Sequence, residues 1–250
     1  MPREEPLAGG NASGVVVRVG DTVRKPWTVS TPSVTAYLGA LRSAGVDVPE
    51  ALGRDEAGRQ ILEFVPGELA IDRGRMTESG VRRVGAMVRA IHDASATWTA
   101  PVDSRWATAI PAPGVELVCH NDLAPWNLVV GDDRWVFIDW DAAGPSTRLW
   151  DLAYAAQSFT LNDTSVAPDV AAAALATFVD AYGADDDLRR GLPDAMAARA
   201  AAMHDLLRRS HAAGVEPWAA MFSAGHGHHW RVVTDYVREH RQVWTAALAG

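Results

Sequence analysis

His120-Asn121-Asp122-Leu123-Ala124-Pro125-Trp126-Asn127 decides the reading of this chain, together with Phe137-Ile138-Asp139-Trp140-Asp141 about a dozen residues on. Val115 to Cys119 before it and Asn127 to Val130 after it read as short strands. Gly131-Asp132-Asp133 turns the chain, and Trp135 to Ile138 returns as a third. Two acids and an amide therefore sit at the mouths of neighbouring strands, where Asp122, Asn127 and Asp139 can converge on one point. Oxygen ligands of mixed carboxylate and amide type suit Mg²⁺, a hard cation that keeps several waters. The natural chemistry of such a cluster is phosphoryl transfer from a nucleotide, in which a metal neutralises phosphate charge and a separate Asp takes the hydroxyl proton.

Upstream the chain is β-like. Val15 to Val19 and Thr22 to Lys25 flank the Gly20-Asp21 turn and predict a hairpin, preceded by the glycine-rich stretch Gly9 to Gly14. Val34, Leu38 and Leu41 mark a helix from Pro32 to Ala44, with Gly45 at its end. Gln60 to Val65 predicts a strand stopped by Pro66-Gly67. Val81, Val84, Val88 and Ile91 put an apolar stripe on a helix from Glu78 to Ser95. Residues 97–114 read as a loop. Beyond Pro145 the chain reads as helical, broken near Gly183 and Gly214.

Composition narrows the function classes. The 250 residues suffice for one large domain or two lobes sharing a cleft. A net charge of -8 argues against a broad nucleic-acid-binding face. Cys119 is the only cysteine, so an internal disulfide and a cysteine-based zinc site are both excluded. No apolar run approaches the roughly 20 residues that span a bilayer, and the N-terminus carries no signal-peptide pattern. The expectation is a cytoplasmic protein, monomeric or homodimeric, without nucleic-acid or membrane partners.

The pattern His-x-Asp-x-x-x-x-Asn followed by Ile-Asp-Trp-acid resembles the catalytic and metal-binding loops of the aminoglycoside phosphotransferase and choline kinase family, a branch of the protein-kinase-like fold. Trp140 stands where protein kinases have Phe, and Asp141 where they have Gly. The resemblance implies an α+β fold of two lobes: a shortened N-terminal β lobe over residues 1–66, built of a hairpin, one helix and a hinge strand, and a mostly helical C-terminal lobe over residues 67–250. It implies a small-molecule kinase that uses Mg²⁺ with ATP or GTP to phosphorylate a substrate hydroxyl. Asp122 would be the catalytic base, Asn127 and Asp139 the metal ligands, and His120 a support for the loop.

For the nucleotide, the resemblance implies a phosphate-covering loop at Gly10, Asn11 and Ser13. It implies a phosphate-gripping cation at Arg24, with Lys25 its rival on the other strand face. Glu63 and Val65 would offer hinge backbone to the base. One departure stands out. Kinases pair the gripping cation with a Glu on the next helix, and the helix from Pro32 to Ala44 contains no carboxylate.

Other residues read as structural. His92 fits a helix-end contact, and Asp151 a helix cap or a brace for the catalytic loop. Gly225-His226-Gly227-His228-His229 lacks the i, i+4 spacing of a helical metal pair and reads as a helix start. Trp126 and Trp140 are candidates for cleft walls, and Trp218, Trp230 and Trp244 for core. Two other functions compete: a catalytically weak nucleotide-binding protein acting through an interaction surface, motivated by the absent helix Glu, and a metal hydrolase, which would need histidine ligands the spacing does not supply.

Overall fold

The structure is a computed structural model, and it describes residues 3–7 and 15–249. A five-stranded antiparallel sheet comes first. It is built from β1 (Glu5–Pro6), β2 (Val17–Val19), β3 (Thr22–Lys25), β4 (Ala51–Arg54) and β5 (Gln60–Glu63), in the order β1-β2-β3-β5-β4. The β2–β3 hairpin turns at Gly20, whose φ of 62° suits glycine. The shortened first lobe therefore keeps five strands; what is short is each strand. β1 and β4 escape a pattern reading because two to four residues are too few to show alternation.

Helix α1 (Thr31–Ser43) lies between β3 and β4 and buries Val34, Tyr37, Leu38 and Leu41. After β5 the chain crosses at Pro66-Gly67 into a second sheet through β6 (Glu68–Leu69), which pairs with β8 (described below). Gly67 has φ 145°, and a Cβ there would lie 2.8 Å from the Val130 carbonyl oxygen. Only glycine lets the crossing run this close to the second sheet.

Helix α2 (Glu78–Ala96) starts at Thr77, whose hydroxyl accepts the Gly80 N–H at 3.2 Å. It buries the expected Val81, Val84, Val88 and Ile91 stripe. β7 (Leu117–Cys119), β8 (Leu128–Val130) and β9 (Trp135–Phe137) follow. β8 and β9 form the expected hairpin, with Leu128 opposite Phe137. β10 (Gly144–Ser146), unforeseen in the helical reading past Pro145, pairs antiparallel with β7.

The remainder is helical: α3 (Arg148–Thr160), α4 (Pro168–Tyr182), α5 (Asp186–Ala213), α6 (Trp218–Met221), α7 (Gly227–Glu239) and α8 (Arg241–Leu248). Gly183 and Gly214 end α4 and α5 in the left-handed conformation, at the expected breaks. One large apolar core joins α1, α2, the β7–β9 region and α3 to α8. Among the described residues, no helix is long and apolar enough to cross a membrane.

Candidate active site

The loop after β7 that carries Asp122 is held from both sides. His120 is fully buried. Its Nδ1 accepts the Asp122 backbone N–H at 3.2 Å, and its Nε2 donates to the Ile138 carbonyl at 3.1 Å. One imidazole thus ties the loop after β7 to the segment that carries Asp139. Both ring nitrogens are spent, which leaves His120 a support and not a base. Its ring leans on Trp140 at 4.3 Å.

Asn121 has φ 64°, a conformation that costs a non-glycine residue energy. Asp151 Oδ1 accepts the Asn121 N–H at 2.8 Å. Asp151 Oδ2 meets His92 Nε2 at 3.0 Å, and His92 Nδ1 meets the Tyr182 hydroxyl at 2.9 Å. Asp151 is therefore the brace of the loop, while Thr147 caps α3. Cys119 lies beside His92 and Asp151, and this trio is the one grouping of His, Cys and acid close enough to suggest a metal among the described residues. It is wholly buried, with His92 and Asp151 already spent on structural hydrogen bonds.

On its other side, Asn121 gives its carbonyl to Arg199 Nη2 of α5 at 3.1 Å. Arg199 is 4% exposed, and its guanidinium lies 4.1 Å from the Tyr154 ring centre. The Tyr154 hydroxyl in turn hydrogen-bonds the Asp122 carboxylate. Arg199 and Tyr154 carry no sequence signal, because 78 residues separate Arg199 from the peptide it holds.

Asp122 also receives the Asn127 amide nitrogen, which donates to its Oδ2 at 2.7 Å and to its carbonyl at 2.9 Å. Burial holds the Asp122 carboxyl above its ordinary range. The nearby Asp139 adds to this, while His120, the Tyr154 hydroxyl and Arg199 oppose it. With its nitrogen committed, Asn127 has its amide oxygen as the end that suits a cation.

Asp139 follows β9 with φ 59°, and a tight turn over Trp140–Ala142 comes next. This folds the chain so that two carboxylates meet one ammonium. Lys25 Nζ lies 2.5 Å from Asp139 Oδ1 and 2.8 Å from Asp141 Oδ2. Burial works against the Lys25 charge, but the two aspartates outweigh it and hold its pKa above the ordinary value. The donor set fits a hard cation: the Asp139 carboxylate and the Asn127 amide oxygen share one end of the β8–β9 hairpin.

Of the two rivals for the phosphate grip, Lys25 and not Arg24 meets these acids. Successive strand residues face opposite ways, and Lys25 is the one turned inward. Arg24 binds the Thr22 hydroxyl at 2.6 Å and lies 3.6 Å from Asp55. Glu63 faces Arg134 at 2.5 Å, and its backbone N–H is spent on the Glu50 carbonyl at 2.8 Å. Val65 is buried against Val129 and Val136. Gly10, Asn11 and Ser13 lie outside the described residues.

Trp140 is 3% exposed and donates Nε1–H to the Phe137 carbonyl, so it belongs to the core and walls no cleft. Trp126 is half-buried, edge-on to Tyr154 and Trp230. Trp230 and Trp244 are core, as expected, and Trp218 packs at its margin. The His226 to His229 stretch opens α7, where His229 meets the Asn162 side-chain oxygen at 3.0 Å.

Residues 96–193 match the phosphotransferase enzyme family. The whole chain is similar to the trifolitoxin immunity protein of Rhizobium leguminosarum bv. trifolii, at 30% identity over 97% of this chain and 98% of that protein. Among solved structures, a choline/ethanolamine kinase family protein from Mesorhizobium loti superposes with a TM-score of 0.65 at 18% identity, over 98% of this chain and 92% of the other. An amicoumacin kinase in complex with AMP-PNP, Ca²⁺ and Ami superposes with a TM-score of 0.67 at 14% identity, over 93% of this chain and 88% of the other. These two superpositions establish a shared fold.

Proposed function

Because this chain belongs to the phosphotransferase enzyme family, we propose that it transfers the γ-phosphate of ATP or GTP to a hydroxyl group of a small toxic compound and so inactivates it. The observation that carries the kinase reading is the meeting of Lys25 from the first sheet with Asp139 and Asp141 beyond β9, beside Asp122 and Asn127. The choice of a toxin as acceptor leans on two similar proteins, the trifolitoxin immunity protein and the amicoumacin kinase. The intact catalytic set weighs against a protein that only binds nucleotide.

Each residue has a task in this reading. Asp122, oriented by Asn127 and Tyr154, receives the acceptor hydroxyl and takes its proton on a carboxylate oxygen. Lys25, in place of Arg24, grips the nucleotide phosphates from the buried face of β3. Asp139 and the Asn127 amide oxygen would hold Mg²⁺, which when bound offsets phosphate charge. Holding hydroxyl and phosphate in line supplies much of the rate. A chain that uses nucleotide and bears no membrane-crossing helix among its described residues works in the cytoplasm in this reading.

The test is thermal stability with ATP or GTP, with and without Mg²⁺, for wild type and Asp139→Ala. A ligand at a hundredfold excess over its Kd stabilises the folded state by about 2.7 kcal/mol. The expected result is a Mg²⁺-dependent rise in Tm that Asp139→Ala removes. No rise with either nucleotide at millimolar concentration overturns the kinase reading in favour of an interaction protein. Asp122→Ala should keep the nucleotide-induced rise and lower turnover by about 10²–10⁴-fold; unchanged turnover would remove Asp122 from the mechanism.

A further inference from the structure

Lys25 poses a problem of charge. It is 5% exposed, so its ammonium needs a permanent partner. In kinases that partner is a helix glutamate, and α1 here runs Thr-Pro-Ser-Val-Thr-Ala-Tyr-Leu-Gly-Ala-Leu-Arg-Ser without an acid. Asp139 supplies one carboxylate, but the proposed function commits Asp139 to a divalent cation. Were it the only partner, cation and ammonium would compete for the same oxygens.

Asp141 removes the conflict. Its Oδ2 lies 2.8 Å from Lys25 Nζ. It sits on the Trp140–Ala142 turn, and that turn packs against α1, with Trp140 edge-on to Tyr37 of α1 at 5.7 Å. A carboxylate thus reaches Lys25 from the turn seated on the helix, where the helix itself offers none. Asp141 is also the residue that stands in place of the kinase glycine, and a glycine there would have no side chain to give.

We propose that Asp141 is the standing counter-ion of Lys25 in place of a helix glutamate, positioning the ammonium for the nucleotide phosphates so that Asp139 need not serve as its partner. The inference rests on the kinase reading above. It makes Asp141 a positioning residue that acts through Lys25. It also accounts for how this chain dispenses with an acid on α1.

Lys25 is the only lysine in the chain, which permits a direct test. Protein labelled with ¹³C and ¹⁵N in lysine alone gives one side-chain ammonium signal, readable without any acceptor. Spectra are compared for wild type, Asp139→Asn, Asp141→Asn and Asp141→Glu, each free and with saturating Mg²⁺–ATP. Asp141→Asn should move the Lys25 signal in both states; Asp139→Asn, which also removes the proposed metal ligand, should move it in the free state. Mg²⁺–ATP binding should weaken about tenfold in Asp141→Asn, roughly the loss of 1.4 kcal/mol, and recover in Asp141→Glu. If Asp141→Asn leaves the signal of the nucleotide-bound state where the wild type has it, the inference is wrong while the kinase reading stands. If Mg²⁺–ATP fails to move the wild-type signal at all, the kinase reading itself falls and this inference with it.

Discussion

Asp151 Oδ1 accepts the backbone N–H of Asn121 at 2.8 Å and so holds a left-handed residue immediately before Asp122. The bond is buried, and a carboxylate acceptor makes it stronger than a neutral one. Asp151→Ala would strand the Asn121 N–H and leave His92 Nε2 without its partner. We expect a loss of about 2–3 kcal/mol in stability, as for a buried donor left unsatisfied, read from the urea midpoint. Turnover should fall beyond what unfolding explains, because the loop that aims Asp122 loses its brace. A variant of wild-type stability would show that the bond carries no weight.

Arg199 holds the opposite side of the same peptide through the Asn121 carbonyl. Its Nη1 has no hydrogen-bond partner, so part of a buried guanidinium is left unsatisfied. An apolar side chain of similar length removes that unsatisfied group but strands the Asn121 carbonyl, and the two effects offset each other. Arg199→Met should therefore change Tm by only a few degrees while turnover drops by about tenfold, a modest misplacement of Asp122. Nucleotide affinity, measured by titration calorimetry, should stay as in wild type. A weakened nucleotide site with normal turnover would contradict this division.

Arg134, on the turn between β8 and β9, bridges to Asp47 and to Glu63 at the end of β5, each at 2.5 Å. It clasps the first sheet to the second. Burial alone would raise the Glu63 carboxyl, but Arg134, the Glu50 amide and Arg42 outweigh it and hold the pKa below the ordinary value. A depressed carboxyl stabilises the fold above its unfolded pKa and loses that contribution as pH falls through the folded one. Stability should thus decline on acidification below about pH 4.5, the region where unfolded glutamate titrates. In Arg134→Ala that part of the decline should shrink. Urea midpoints at pH 6 and pH 3.5 for both proteins check this; equal differences would exclude the Glu63–Arg134 pair as a source.

Cys119 is fully buried, and that burial pushes its thiol well above the ordinary value. The thiolate is the reactive form, so the native protein should resist iodoacetamide at neutral pH. Alkylation should follow the unfolding curve in urea, one group per chain. Fast labelling of the native state would mean that β7 opens readily, and with it the segment leading into the Asp122 loop.

The chain by itself determined much of this molecule, because much of it is local. The β2–β3 hairpin, the apolar stripe of α2 and the breaks at Gly183 and Gly214 follow from side-chain periods and from glycine's tolerance of positive φ. Asn127 and Asp139 come to one edge for the same reason, since β8 and β9 adjoin. The tertiary structure alone decided which of Arg24 and Lys25 faces the acids, because strand alternation says that they point apart and not which face the rest of the protein covers. It also decided that Trp140 belongs to the core, that Arg199 reaches Asn121, and that Asp141 meets Lys25. These contacts span long stretches of chain, and close packing of distant elements, not any local period, brings them together.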